Sequence, residues 1–330
     1  SLEAQRAGTV ADIKITGQKR LVIVTGRAHP QLAIDIAHEL DSDIVHTDAR
    51  TFANGEIYAR YDESVRGCDA FVIQSHTSPI NEWLMEQLIM VDALKRASAK
   101  RITVVSPFYP YARQDKKGRG REPISARLVA DLYKAAGADR IMSVDLHAAQ
   151  IQGFFDLPVD HLYAAPVIYE YLLKKNLENL VVVSPDVGGI KMAYAYAQRL
   201  DAELAIVAKR RKSPTETEAT AVIGDIAGRN VLLVDDLTET AGTLTSAATM
   251  LKSKGAEKII ACVSHALLTE LGINRIKNSP IDELITTDTV RRPVYPGVNI
   301  TTLSVASSVS YTHLRAHETK ANLVCRLLLE

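Results

Sequence analysis

The sequence is short of several things at once. Cysteine occurs three times, at Cys68, Cys262 and Cys325, too far apart for the close pairs that hold zinc or staple a small secreted fold. That excludes a disulfide scaffold and suits a reducing cytoplasm. Neither sign of charge is in excess: 39 Lys and Arg against 39 Asp and Glu cancel, so no global field draws the chain to nucleic acid. A signal peptide is not evident, and no apolar run is long enough to span a bilayer. What remains is 330 residues, 47% hydrophobic and 24% charged, long enough for about two domains with cores of their own. Any anion site must then come from local basic clusters, and two stand out: Arg113 to Arg121 and Lys209 to Lys212.

The first twenty residues lack sustained periodicity and read as an extension, with at most a short strand at Ala11 to Ile15. From Leu21 the pattern becomes regular. LVIV predicts a strand, Pro30 opens the helix QLAIDIAHEL, and DIVHTD predicts another short strand. Apolar runs at Ala70 to Gln74, Ile102 to Val105 and Ile141 to Val144 alternate with helical patterns over Asn81 to Arg96 and Ile124 to Ala136. A second series follows Pro158, with a helix over Pro166 to Lys174 and strands at Leu180 to Ser184, Leu204 to Ala208, Val231 to Val234, Lys258 to Val263 and Ile300 to Val305. The expected fold is α/β, two domains at 20–158 and 159–306, each a mostly parallel sheet flanked by helices. Phe154 and Phe155 make the junction too apolar for a flexible linker, so the domains should pack closely.

Several strand ends carry chemistry. VLLVDDLTETAGTL, residues 231–244, is an apolar run that stops at Asp235 and Asp236 and turns through Thr240, Ala241, Gly242 and Thr243 into a helix closed by Gly255. Ligands of open α/β sheets bind beyond such strand ends, and amides at a helix start bind phosphate. The stretch fits a phosphosugar cradle; taken alone, it also fits a structural turn beside a solvated acid pair. FANGEIY, residues 52–58, predicts a hairpin tip presenting Phe52, Asn54 and Glu56, able to hold a nucleobase or simply to turn the chain. SPFYPYARQDKKGRGREP, residues 106–123, reads as a loop over a polyanion, with Arg113 offering a planar guanidinium fork and its other cations mostly solvated. VDLHAAQ and VVSPDVGG end strands with Asp145, His147 and Asp186, groups that can ligate or position Mg²⁺. AKRRKSPTETEAT, residues 208–220, has the composition of a mobile catalytic flap or of a solvated charge run.

Together these motifs resemble the ribose-phosphate pyrophosphokinase family over roughly residues 20–305: FANGE, PYARQDKK, REPISARLVADL, VDLHAAQIQGFFDLPVDHLYA, VVSPDVGG, KRRK and VDDLTETAGT, in that order. The resemblance implies two phosphoribosyltransferase-like domains, ATP and ribose 5-phosphate as substrates, Mg²⁺ as cofactor, and a homo-oligomer, commonly a hexamer, regulated by phosphate and ADP. By matching motif, Phe52, Asn54, Gly55 and Glu56 with Arg113, Gln114 and Asp115 would bind ATP, and His147 and Asp186 would serve the metal. Lys209 and Arg211 would be catalytic flap cations, and Arg211, Asp235, Asp236 and Glu239 to Thr243 would hold ribose 5-phosphate. The implied reaction moves the β,γ-pyrophosphoryl group of ATP to the sugar 1-hydroxyl and leaves AMP. A non-catalytic regulatory homologue, and a phosphoribosyltransferase consuming the product, are the alternatives. Glu239 stands where the family often has Asp, and a carboxylate there must point away from a phosphate or pair. Lys191 stands where members often carry Arg or Lys-Arg. Residues 307–330 match neither the family ending nor a core-facing period and read as a non-native tail.

Overall fold

In the computed structural model, residues 20–210, 219–291 and 294–310 are described. The strand expected at residues 11–15 lies outside them.

The first sheet holds five strands, all parallel: β1 (Leu21–Thr25), β4 (Asp69–Ile73), β5 (Arg101–Val105), β6 (Arg140–Val144) and β7 (Val159–Leu162), in that spatial order. Its strands are short and β-branched because both faces are covered, so alternation is unnecessary. Every residue of β4 is buried. α1 (Pro30–Glu39), α2 (Ile80–Arg96) and α3 (Ser125–Ala136) supply the cover, with Pro30 at the first helical position and Gly137 ending α3 at φ +118°, a conformation open to glycine.

Two expectations need correction. DIVHTD is not a strand of the sheet: Ile44 makes one bridge to Ile23, and the chain pairs only from Thr47, where β2 (Thr47–Thr51) and β3 (Ile57–Tyr61) form a separate antiparallel hairpin. Nor does the first domain end at Pro158. Val159–Leu162 pairs parallel with β6, and the preceding segment is a 3-10 helix, Ala149–Phe154, packed under the sheet edge through Ile151.

The second sheet has seven strands: β10 (Ala219–Ile223), β9 (Glu203–Arg210), β8 (Leu180–Ser184), β11 (Asn230–Thr238), β12 (Ile259–Ala266), β13 (Glu283–Thr287) and β14 (Ile300–Leu303), in that order. All neighbours are parallel except β10 against β9. From β8 the chain goes outward one way to β9 and then returns to β11 on the other side. The carboxyl ends of β8 and β11 therefore flank a reversal of strand order, the place where α/β sheets open a crevice. α4 (Ala165–Lys175), α5 (Ile190–Arg199), α6 (Gly242–Ser253) and α7 (Glu270–Lys277) complete the domain.

One apolar cluster runs through both domains, joining Ile23, Leu32 and Ile36 to Ile168, Leu232 and Ile285. A shared core of this kind resists independent motion of the two halves. Residues 306–310 form a helical turn that belongs to it: Val305, Ala306 and Val309 are buried, and the Ser310 hydroxyl donates to the Ile36 carbonyl at 3.4 Å. The segment expected to be foreign thus begins as a packed turn; residues 311–330 lie outside the described part.

Candidate active site between the domains

β11 is longer than its apolar run. Its pairing with β8 stops at Leu233, but its pairing with β12 continues through Asp235, Leu237 and Thr238. The two acids therefore lie within a strand that has lost one neighbour, and that missing neighbour is the crevice. Loss of a partner on one side, rather than the end of the strand, opens space for a ligand.

His147, from the turn after β6, reaches across the domains and places Nδ1 2.5 Å from Asp236 Oδ2. The Asp236 side chain is 16% exposed. Burial works to raise its pKa, and the His147 hydrogen bond overrides that and holds it below the usual carboxylate range. The same hydrogen bond raises His147, helped by the charges of Asp236, Asp115 and Asp235. Asp235 goes the other way: burial first, then the charges of Asp236 and Asp186, push it up to about 7. Two adjacent half-buried acids cannot both ionise freely, so they divide into a paired carboxylate and a reluctant one.

Asp186 sits in the turn between β8 and α5. Its Oδ1 accepts from the amides of Gly188 and Gly189 at 2.8 and 3.1 Å, which fixes the carboxylate in its own loop. A Cβ at Gly189 would lie 2.9 Å from Ser184 Oγ, so a larger residue there would displace that hydroxyl. Among the described residues no group of three ligating side chains converges, and the partner His147 takes is Asp236.

The loop of the first domain contributes Arg113, whose guanidinium pairs with the Glu239 carboxylate of the second domain. Glu239 thus satisfies the requirement that it pair. Arg113, Gln114 and Glu239 line an interdomain cavity of about 430 Å³ together with Asn81, Phe108 and Tyr111. Gln114 accepts from the Ser125 hydroxyl at 2.6 Å. Asp115 is buried, held by Gln150 Nε2 at 2.9 Å, and its charge falls on His147.

Phe52, Asn54, Gly55 and Glu56 form the tip of the β2–β3 hairpin. Gly55 lies at φ +91°, and the Glu56 amide donates to Asn54 Oδ1 at 3.1 Å. Phe52 is 46% exposed, with Tyr58 at 6.1 Å between ring centroids and the Arg50 guanidinium over its ring. Among the described residues the ring contacts of Phe52 stay within the hairpin, and the tip is exposed. Lys209 lies at the end of β9, opposite Thr220 of β10; Arg211 is outside the described residues.

The cradle continues through Ala241, which adopts φ +53°, into α6, with Thr245 N bonded to Ala241 O at 2.9 Å. A non-glycine residue in the left-handed region costs about 1 kcal/mol and persists only where its surroundings impose it.

Comparisons with known proteins decide the family. Residues 21–137 match the N-terminal domain of ribose phosphate pyrophosphokinase, and residues 163–294 match the phosphoribosyl transferase domain. The ribose-phosphate pyrophosphokinase of Streptomyces avermitilis is 54% identical over 302 residues, 90% of this chain and 93% of the relative. This chain belongs to the ribose-phosphate pyrophosphokinase family. The namesake enzyme of Corynebacterium glutamicum is 51% identical over 299 residues, covering 89% and 92% of the two chains. The crystal structure of phosphoribosylpyrophosphate synthetase from Mycobacterium smegmatis aligns with a TM-score of 0.84 at 50% identity, covering 90% of this chain and 98% of that one. Among the described residues no helix is long and apolar enough to cross a membrane.

Proposed function

We infer that the protein is a ribose-phosphate diphosphokinase, transferring the β,γ-pyrophosphoryl group of ATP to the 1-hydroxyl of ribose 5-phosphate and releasing AMP. The observation that carries this reading is identity above 50% to ribose-phosphate pyrophosphokinases along nine-tenths of the chain. A phosphoribosyltransferase would not need the first domain's Arg113 loop or its hairpin, and a non-catalytic homologue would not need the acid and imidazole groups kept in the crevice.

In this reading the cradle from Glu239 to Thr243 takes the sugar 5-phosphate on backbone amides and hydroxyls. Asp235 and Asp236 accept from ribose hydroxyls, which orients the 1-hydroxyl toward the β-phosphorus. Arg113 leads the triphosphate into the interdomain cavity, with Gln114 beside it, and Asp115 acts from beneath by its charge on His147. Phe52, Asn54, Gly55 and Glu56 recognise adenine. Their exposure suits a site completed by assembly of copies of this chain, which by family resemblance form a hexamer responsive to phosphate and ADP. Lys209 and Arg211 bring cations to the charge that spreads over the transferred group. The O–P bond to the α-phosphate breaks as the bond to the sugar oxygen forms, and no protein nucleophile intervenes.

The donor set fits Mg²⁺. Its Nδ1 held by Asp236, His147 keeps Nε2 for a ligand, and Asp186 retains Oδ2. A cation that takes its remaining ligands from water and phosphate suits so sparse a set, and when bound it would neutralise triphosphate charge. Cys68 and Cys262 are free and buried, in keeping with a cytoplasmic setting.

The test is the nucleotide product. Protein incubated with Mg²⁺, ATP and ribose 5-phosphate should yield AMP in step with phosphoribosyl pyrophosphate; stoichiometric ADP would sink pyrophosphoryl transfer.

A further inference from the structure

α7 lies against the outside of the phosphosugar loop, and three residues at intervals of three, Thr269 at its cap and two within it, touch that loop's backbone. The Thr269 amide donates to the Glu239 carbonyl at 3.1 Å, and the Thr269 hydroxyl approaches the same oxygen at 3.4 Å. One turn on, Gly272 stands so close to the loop that a Cβ would meet the Glu239 carbonyl oxygen at 2.3 Å. After a further turn, Arg275 Nη1 donates to the Thr240 carbonyl at 3.0 Å. Residues three apart share a helix face, so Thr269, Gly272 and Arg275 form one edge.

The neighbouring carbonyls are tied as well. Thr238 O accepts from the Leu267 amide at 2.9 Å, and Ala241 O accepts from Thr245 N in the first turn of α6. Four successive carbonyls, from residue 238 to residue 241, are thus each held by a donor. Across a trans peptide the N–H points opposite to the C=O. Fixing the carbonyls of Glu239 and Thr240 toward α7 therefore turns the amides of Thr240 and Ala241 away from it. Gly272 is the residue that lets the helix backbone come near enough, and Ala241 at φ +53° is where the loop carries the strain of being held this way.

We propose that the Thr269–Gly272–Arg275 edge of α7 is a brace that sets the phosphate-binding conformation of the 239–243 loop, with Gly272 and Arg275 as positioning residues for ribose 5-phosphate. It rests on the reading of that loop as the sugar-phosphate cradle. Arg275 acts through Thr240 rather than on the ligand. An alternative seat exists for an anion beside the guanidinium itself, in the groove of about 680 Å³ that Arg275 lines with Thr245, Ser246 and Asn274. The two arrangements give different results.

The experiment measures KM for ribose 5-phosphate and for ATP, and kcat, in full-length Arg275→Ala, Arg275→Lys, Gly272→Ala and Thr243→Val proteins. Losing a charged donor to a backbone carbonyl should raise the ribose 5-phosphate KM about tenfold in Arg275→Ala, leaving the ATP KM within about twofold. Arg275→Lys should recover part of the loss because an ammonium can still donate to Thr240. Gly272→Ala should match Arg275→Ala, since its methyl displaces the loop without removing charge. Should Gly272→Ala fail to fold, Thr269→Val, which takes the hydroxyl from the Glu239 carbonyl, carries the same expectation. A rise in Arg275→Ala with Gly272→Ala and Thr269→Val unchanged means direct anion contact and overturns the brace. If Thr243→Val weakens ribose 5-phosphate while the α7 variants do not, the loop reading stands and the brace falls. If Thr243→Val is silent as well, the cradle reading itself has failed, and the brace with it.

Discussion

Replacing Asp235 by asparagine should stabilise the ligand-free protein while disabling it. The Asp235 carboxyl is pushed up from 3.8 to about 7, burial and the Asp236 charge being the main causes. At about 1.4 kcal/mol for each tenfold change in proton affinity, that rise sets a ceiling of roughly 4 kcal/mol for keeping it ionised. Asp236 shares the repulsion, so roughly 2 kcal/mol is the expected gain from removing it. Asparagine keeps an acceptor for the Asp236 amide, which donates to Asp235 Oδ1 at 2.9 Å, so that donor is not orphaned. Because the folded pKa lies above the unfolded one, the native state holds this proton more tightly. Wild-type stability therefore falls as pH climbs from the ordinary carboxylate range to about 7, and stays low above that. The amide side chain of the Asp235→Asn protein does not titrate. Thermal melts of the two proteins without ligand should differ by about 4 °C at pH 8, and by less than half of that at pH 5. An equal difference at both pH values, or a less stable variant at pH 8, would refute the assignment of Asp235 as the reluctant acid.

Further outcomes follow from the same geometry. Arg113→Ala breaks the interdomain pair with Glu239, whose side chains are 57% and 41% exposed; its melting temperature should hardly move, since exposed pairs contribute about 1 kcal/mol or less, while the KM for ATP rises in steady-state assays. Phe52→Ala should leave stability within about 0.5 kcal/mol by denaturant titration and weaken ATP, with ribose 5-phosphate affinity unchanged. Lys209→Ala should lower kcat by about a hundredfold or more with little change in either KM, as expected of a cation used mainly in the transition state. Chelation with EDTA should stop turnover, and added Mg²⁺ should restore it.

Much of the scaffold is legible in sequence because its signals are local. Leu21–Thr25, Asp69–Ile73 and Leu180–Ser184 are apolar runs too short for helices, and Pro30 and Gly255 mark a helix start and a helix end by backbone preference alone. What escapes is whatever depends on a distant partner. The Val231 run gives no sign that β11 continues through two acids, since only β12 holds it there. His147 and Asp236 are 89 residues apart, and Arg113 and Glu239 are 126 apart, so neither pairing is written in any window. DIVHTD reads as one short strand, yet only Ile44 bridges to the sheet, and Thr47 and Asp48 belong to the separate hairpin. α7 has eight residues with a glycine third among them, which lowers its helical signal at the very residue that lets it approach the loop. A threonine, a glycine and an arginine spaced by three are the available hint, and they acquire meaning only once the 239–243 loop is seen beside them.

The most direct test of the central claim follows the phosphorus atoms. With ATP labelled at the β-phosphorus, ribose 5-phosphate and Mg²⁺, the label should appear in phosphoribosyl pyrophosphate, and with α-labelled ATP it should remain in AMP. Label from the γ-phosphorus alone reaching the sugar, with the β-label left in ADP, would contradict the account.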